Sequence, residues 1–322
     1  REDGDWVPNV HGGRENLEAV TLLQEVNATA YRRSPGIVTV AEESTAWPGV
    51  TRPTDEGGLG FGLKWNMGWM NDALRYLAED PINRSHHHTL LTFAMMYAYA
   101  ERYLLPISHD EVVHGKGSMP YKIPGGDKER LATLRAFYAY QWAFPGKHLV
   151  FMGTEFAQTS EWAESRSLDW HLLDHAAHRR VQDLVRDLNS FAAHHPAMWA
   201  LDDRPEGFRW LDADDAHGTT VSFVRSAPTG VGAAEDPVVV VVNFGGTDRG
   251  TLRVGLPRGG AWRVALDTSG YDAAGSPSQA DTVLTAEEHP WQDQPWSAEV
   301  RVARLSALYL VPRSDQAGRR VP

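Results

Sequence analysis

Three β-branched or apolar runs in this sequence each lead into acids, and helical patterns lie between them. Ile37-Val38-Thr39-Val40-Ala41 runs into Glu42-Glu43-Ser44. Tyr103-Leu104-Leu105-Pro106-Ile107 runs into Ser108-His109-Asp110-Glu111, and His148-Leu149-Val150-Phe151-Met152 into Gly153-Thr154-Glu155. Phe61 to Trp65 reads as a further strand. Helical spacing covers 15–33, where Leu17, Val20, Leu23, Val26 and Ala30 recur, then 68–78, 88–100, 127–144 and 178–194. In the 127–144 segment Leu131, Leu134 and Tyr138 share a face, and Pro145-Gly146 ends it. Strands alternating with helices predict a parallel sheet with crossover helices. In such sheets ligands sit at the carboxyl ends of the strands, which is where these acids fall.

After about residue 200 the pattern changes. Short alternating or β-branched runs appear at 208–211, 219–225, 238–244, 251–256, 261–266, 299–302 and 307–311, separated by Gly, Pro and Asp. They predict an antiparallel sandwich, with Trp199 to Pro205 as the linker region. Ala/Gly-rich loops are expected near 228–236 and 273–280, and a disordered tail after Pro312. The expected division is 1–200, 201–313 and a tail at 314–322.

Composition narrows the function classes. The 322 residues carry a net charge of −11, which argues against nucleic acid as a partner. There is no cysteine, hence no disulfide and no thiolate metal site or nucleophile. A cytoplasmic setting fits that. No apolar run reaches the roughly 18 residues of a membrane span, and Arg1 to Asp5 is polar, unlike a signal peptide. Adjacent histidines on a helix point in different directions, so His86-His87-His88 does not read as a metal site. His194-His195, before Pro196, reads as a helix C-terminal cap. No Gly-rich phosphate loop of useful form occurs.

Carboxylates at several strand ends of one parallel sheet suit glycosidic chemistry. One carboxyl protonates the leaving oxygen, and another attacks or stabilises the oxocarbenium-like carbon. The acid needs a raised pKa, which burial and a neighbouring carboxylate can supply. Successive strand residues face opposite ways, so only one of Glu42 and Glu43 faces the site directly. The cluster Ser108 to Ser118, with two His, two acids and Lys116 straight after a buried strand, carries the strongest chemical signal. Glu155 alone reads as structural. Twelve Trp, ten Tyr and ten Phe could stack on sugar faces as well as fill cores, with Trp65, Trp69 and Trp162 as the stacking candidates.

Longer motifs carry a family resemblance. Val40 to Thr45 with Pro48-Gly49-Val50, and Leu105 to Lys116, resemble the general-acid and transition-state-stabiliser segments of bacterial glycogen branching enzymes, in the α-amylase superfamily. So do 13–19, Lys64 to Met70, 151–158 and 167–173, in order along most of the chain. The resemblance implies the C-terminal half of a (β/α)₈ barrel followed by an all-β domain. It implies a retaining transglycosylase that cuts α-1,4-glucan and moves the chain to a glucose 6-hydroxyl, as a monomer without metal or organic cofactor. By position Glu42 matches the general acid/base and Asp110 the second carboxylate. His109 matches a sugar-contacting donor, with Lys116 and Trp65 as further substrate contacts. The family's nucleophile lies in a Gly-Phe-Arg-Val-Asp-like segment, and none occurs in this sequence. The expectation is therefore a piece of a longer enzyme, inactive and marginally stable alone. Two other readings compete. A trehalose-releasing or amylase-like hydrolase would show itself by its product linkage. A glucan-binding protein without catalysis would lack the nucleophile strand upstream.

Overall fold

The computed structural model describes residues 7–228 and 237–313. The polar opening residues, most of the loop near 228–236 and the expected tail at 314–322 lie outside the described residues.

The first half runs α1 (Leu17–Arg33), β1 (Val40–Ala41), β2 (Leu63–Trp65), α2 (Met67–Ala78), α3 (Thr89–Thr92), β3 (Tyr103–Ile107), α4 (Asp127–Ala143), β4 (Lys147–Val150) and α5 (Ala176–His194). The four strands form a parallel sheet in the order β1-β2-β3-β4, with Val40 beside Leu63, Trp65 beside Leu104 and Ile107 beside Val150. Sequential order in a parallel sheet follows from the crossover helices. Asn16 caps α1 by accepting the Ala19 N–H at 2.9 Å. Gly146 turns the chain from α4 into β4 at φ +118°, where a side chain would sit 3.0 Å from the Tyr103 carbonyl oxygen.

The second half is antiparallel. Its strands are β5 (Phe208–Asp212), β6 (Thr220–Arg225), β7 (Val238–Asn243), β8 (Arg249–Leu256), β9 (Gly260–Asp267), β10 (Val283–Ala286), β11 (Trp296–Val302) and β12 (Ser306–Pro312). Six strands form one sheet, β10-β9-β12-β7-β6-β5, and β11 pairs with β8. The unbroken valine run of β7 has a physical reason: both of its faces are covered. Val238, Val240 and Val242 join the core around α4, while Val239 and Val241 face the core of the sandwich.

The central element is α4. The sequence predicts a helix with one apolar face. Instead, every residue from Leu131 to Ala143 except Ala132 is buried, because the parallel sheet and α5 cover one side and β7 and β12 the other. Two buried arginines fasten the halves through main-chain oxygens. Arg84 donates to the Phe244 carbonyl at 2.8 Å and lies over the Tyr76 ring. Arg225 donates to the Ala143 carbonyl and to Asp202, each at 2.6 Å. Lys147 holds the other oxygen of Asp202 at 2.6 Å, so the stretch between the halves is pinned from both sides.

Several expected elements differ in extent. The 37–41 run pairs only at Val40 and Ala41, and 61–65 only from Leu63. The helix expected over 88–100 is one four-residue turn of α-helix between 3-10 turns. There the Tyr140 hydroxyl from α4 donates to the Leu91 carbonyl, which a continued helix would offer to residue 95. Strand β10 was not expected. It is short and follows an Ala/Gly-rich loop, and pairing with β9 creates it.

Candidate active site

All four strands of the parallel sheet point their carboxyl ends the same way, so the segments after them gather on one edge. Glu42 follows β1, Trp65 ends β2, Ser108 to Asp110 follow β3, and Phe151 to Glu155 follow β4.

Ala41 packs against Val50 and Leu59 and the α1 residues Val20 and Leu23, so it faces the helix layer. Alternation turns Val40 and Glu42 to the opposite face, and both are exposed. Glu42 therefore stands open to solvent at the sheet edge in this chain. Glu43 is tied down instead. Its carboxylate meets the Lys64 ammonium at 2.7 Å and accepts the Thr45 N–H at 2.7 Å. Partial burial pushes the Glu43 pKa up, but Lys64 and Thr45 outweigh it and hold the group below its usual value. Lys64 is itself buried and also donates to the Thr45 carbonyl at 2.9 Å, so it pins the turn that carries Glu42.

The loop beyond is anchored from a second direction. The buried Glu101 carboxylate accepts the N–H groups of Gly49, Val50 and Thr51 at 2.8, 2.9 and 2.8 Å, together with the Thr51 hydroxyl. Three consecutive amides converging on one carboxylate form an anion nest filled by the protein's own side chain.

After β3 the turn is built by Ser108 and Glu111. The Ser108 hydroxyl accepts the Asp110 N–H at 3.2 Å, and the buried Glu111 accepts the Ser108 N–H at 2.6 Å. This reciprocal cap fixes the one-turn 3-10 helix His109–Glu111. Of the two acids here, Glu111 is thus structural, while Asp110 projects half-exposed beside His109, whose Nε2 lies 3.3 Å from the Asp110 carboxylate. The His109 ring packs near Phe151, 5.9 Å between centroids, and Phe151 meets Trp162 edge-on at 5.3 Å. An aromatic wall and a donor–acceptor pair therefore stand together at the ends of β3 and β4.

Lys116 is exposed on a loop held by Glu161, which accepts the Gly117 N–H at 2.6 Å. The Gly117 and Gly115 amides hold the Glu161 pKa below its usual value. Trp65 is half-buried at the strand edge. Trp69 is a core residue, 2% exposed and stacked on Phe137. Glu155 accepts its own neighbour's N–H, from Gly153, at 2.7 Å. His88 lies 2.9 Å from the Ala213 carbonyl and His87 3.6 Å from Glu79. His194 and His195 turn their Nδ1 atoms to carbonyls four residues back, at 2.7 and 2.8 Å, and so close the last turn of α5. No helix among the described residues is long and apolar enough to cross a membrane.

Sequence reasoning named Glu42, His109, Asp110, Lys116 and Trp65, and the fold sets all but Lys116 directly at strand ends. It passed over Lys64, Glu101, Phe151 and Glu161 as working residues. A signal for Lys64 existed: it sits in register with Ala41, on the buried face, where a lysine requires a partner.

Comparison with known proteins places these features in a family context. Residues 210–313 match the family described as alpha amylase, C-terminal all-beta domain. The chain is similar to the 1,4-alpha-glucan branching enzyme GlgB of Leifsonia xyli subsp. xyli, 52% identical over 310 residues, which is 96% of this chain and 42% of that protein. It is 53% identical over 312 residues to the GlgB of Thermobifida fusca, covering 97% and 41%. The GlgB of Mycobacterium tuberculosis H37Rv is 51% identical over 313 residues, covering 97% and 42%. This chain thus spans about 42% of the length of these relatives. Among solved structures, a type I pullulanase from Bacillus subtilis complexed with maltose aligns with TM-score 0.60 at 12% identity, over 98% of this chain and 49% of that one. An α-amylase from Geobacillus thermoleovorans complexed with acarbose aligns with TM-score 0.55 at 12% identity, over 92% and 57%. These two likenesses concern the fold alone.

Proposed function

We propose that this chain, similar in sequence to bacterial 1,4-α-glucan branching enzymes, is a part of such an enzyme and carries the acid/base part of a retaining transglycosylase site. The supporting observation is the single sheet edge where Glu42, Trp65, His109, Asp110 and the Phe151–Trp162 wall follow four parallel strands.

In this reading Glu42 protonates the departing glucan oxygen. It later takes the proton from an incoming glucose 6-hydroxyl, as microscopic reversibility requires. Asp110 accepts hydrogen bonds from hydroxyls of the reacting sugar, and these strengthen as positive charge develops at the anomeric carbon. His109 donates to the same sugar from beside the Asp110 carboxylate, 3.3 Å away. Trp65 and the aromatic wall offer flat apolar faces to glucose units, and Lys116 reaches the glucan from its loop. The attacking carboxylate is assigned to a further strand pairing with the outer edge of β1. Residues 1–200 act as the catalytic half-barrel and 201–313 as the β domain that braces it. The substrate is α-glucan, and a cytoplasmic monomer suits the role.

The test uses the longer protein read from the coding sequence upstream of Arg1. It is incubated with amylose, and α-1,6 linkages are counted by proton NMR. Branches should appear, and Glu42→Gln should lower the rate by about 10²–10⁴. New reducing ends without branches would place the protein among the hydrolases. No reaction at all would leave glucan binding as its role.

A further inference from the structure

A second cleft, unrelated to the sheet edge, opens between the first turns of α4 and the loops of the β-sandwich. Its volume is about 420 Å³, which suits a small polar ligand. Five cations line it, Lys128, Arg135, Arg249, Arg301 and Arg304, against three carboxylates, Glu129, Asp248 and Asp272. In a chain of net charge −11 this is a local reversal of sign.

The carboxylates are already engaged. Asp272 accepts from the Ser276 hydroxyl and the Ala274 N–H and meets Lys128 at 3.6 Å. Asp248 accepts the Arg304 N–H at 2.8 Å, and Glu129 meets the Arg304 guanidinium at 3.5 Å. Arg249 turns to Asp215 at 3.0 Å. Arg135 is the exception. It is 4% exposed, and among the described residues it makes no hydrogen bond or ion pair; its Nε is fully buried without a partner. Burial pulls its pKa down to about 10, and Asp272 pushes back only in part. A buried guanidinium without a counter-charge is strongly unfavourable. Such a group is retained where something outside the chain completes it.

We infer that this cleft is a binding site for a phosphate monoester, with Arg135 as its central contact. The planar guanidinium presents paired donors that match two phosphate oxygens at once. Exposed Arg301 stands at the same wall. The room beyond the phosphate admits a sugar ring. The inference does not depend on the glucan reading of the other site.

The experiment is isothermal titration of the 322-residue chain at low ionic strength with inorganic phosphate, glucose 6-phosphate, a phosphorylated maltodextrin and uncharged glucose. The expected result is one glucose 6-phosphate per chain, no binding of glucose, and weaker, competing phosphate. Tighter binding of the phosphorylated maltodextrin than of glucose 6-phosphate would identify a phosphorylated glucan as the source of the group; the reverse order would identify a free sugar phosphate. Arg301→Ala, a surface change, should weaken binding at least threefold, and Arg135→Met at least tenfold. Arg135→Met should also raise the melting temperature of the unliganded chain, because it removes a buried, uncompensated charge. A lower melting temperature would mean that Arg135 is a structural residue with solvent as its partner, and would overturn the inference. So would the absence of phosphate and sugar-phosphate binding to the folded chain, or binding unchanged in both variants.

Discussion

The two sides of the molecule handle apolar surface in opposite ways. Around α4 the chain buries nearly everything, and even its polar bridges, Arg84 and Arg225, are fully enclosed. Around α1 and β1 it buries little. Asn27 is the one buried residue of α1, while Leu22, Val26, Val38 and Val40 are 62%, 50%, 56% and 37% exposed. Both regions show apolar periodicity in the sequence. The difference lies in what packs against them, which confirms that amphipathic spacing creates a face without supplying its cover. Such a face beside an open strand edge suits further pairing, in keeping with the proposed attachment of another strand at β1.

The largest effect expected at the tight side comes from Arg225→Met. The change leaves the Ala143 carbonyl without its Arg225 donor, the Gly207 carbonyl with the Ser226 N–H alone, and Asp202 held only by Lys147. Loss of one partner from a buried ion pair costs about 3–5 kcal/mol, readable as a lower urea midpoint. A loss under about 1 kcal/mol would show that the halves are not fastened there.

The pH profile sharpens the same contrast. Burial of His148, stacked on Trp142 at 4.1 Å, pulls its pKa down to about 4 despite Asp202 nearby. In the unfolded chain it titrates near 6.5. Between about pH 6.5 and 4 the unfolded state binds a proton that the folded state refuses, so stability falls as pH falls through that window. The loss is about 3 kcal/mol by pH 4. His148→Gln should flatten the profile there, and identical profiles for the two proteins would remove His148 from the account.

At the loose side Glu101→Gln should act locally. The neutral amide offers one oxygen where the carboxylate offered two to Gly49, Val50 and Thr51. Hydrogen bonds to a charged group are worth about 1.5–3 kcal/mol, so exchange of those three amides should quicken while the α4 amides stay protected. Uniform loss of protection would mean that the two sides unfold together. A paired truncation compares the two sides directly: Leu134→Ala should cost about 2–5 kcal/mol, and Leu22→Ala, the smallest effect expected, no more than about 0.5 kcal/mol. Equal losses would erase the comparison.

These contrasts also explain how much was legible in the sequence. Strand β3 was placed to the residue, because a continuous apolar run between polar flanks leaves little choice of register. His109 and Asp110 followed from it. The Ser108–Glu111 cap was present in the spacing but was read as a second candidate acid. The enclosure of α4 could not be read, since its second cover comes from strands about 100 to 170 residues further on. Glu101 reaches back 50 residues to its amides, and no periodic pattern signals such a bond.

Twelve of the seventeen residues of α4 are buried, and that bears on how such a chain can be recombined. A crossover between relatives placed in the connecting stretch near residue 200 would keep each half's own strands intact, yet would hand α4 a foreign wall. The tolerated exchanges would be those in which α4, β7 and β12 travel together, so the inherited unit cuts across the visible boundary between the two architectures.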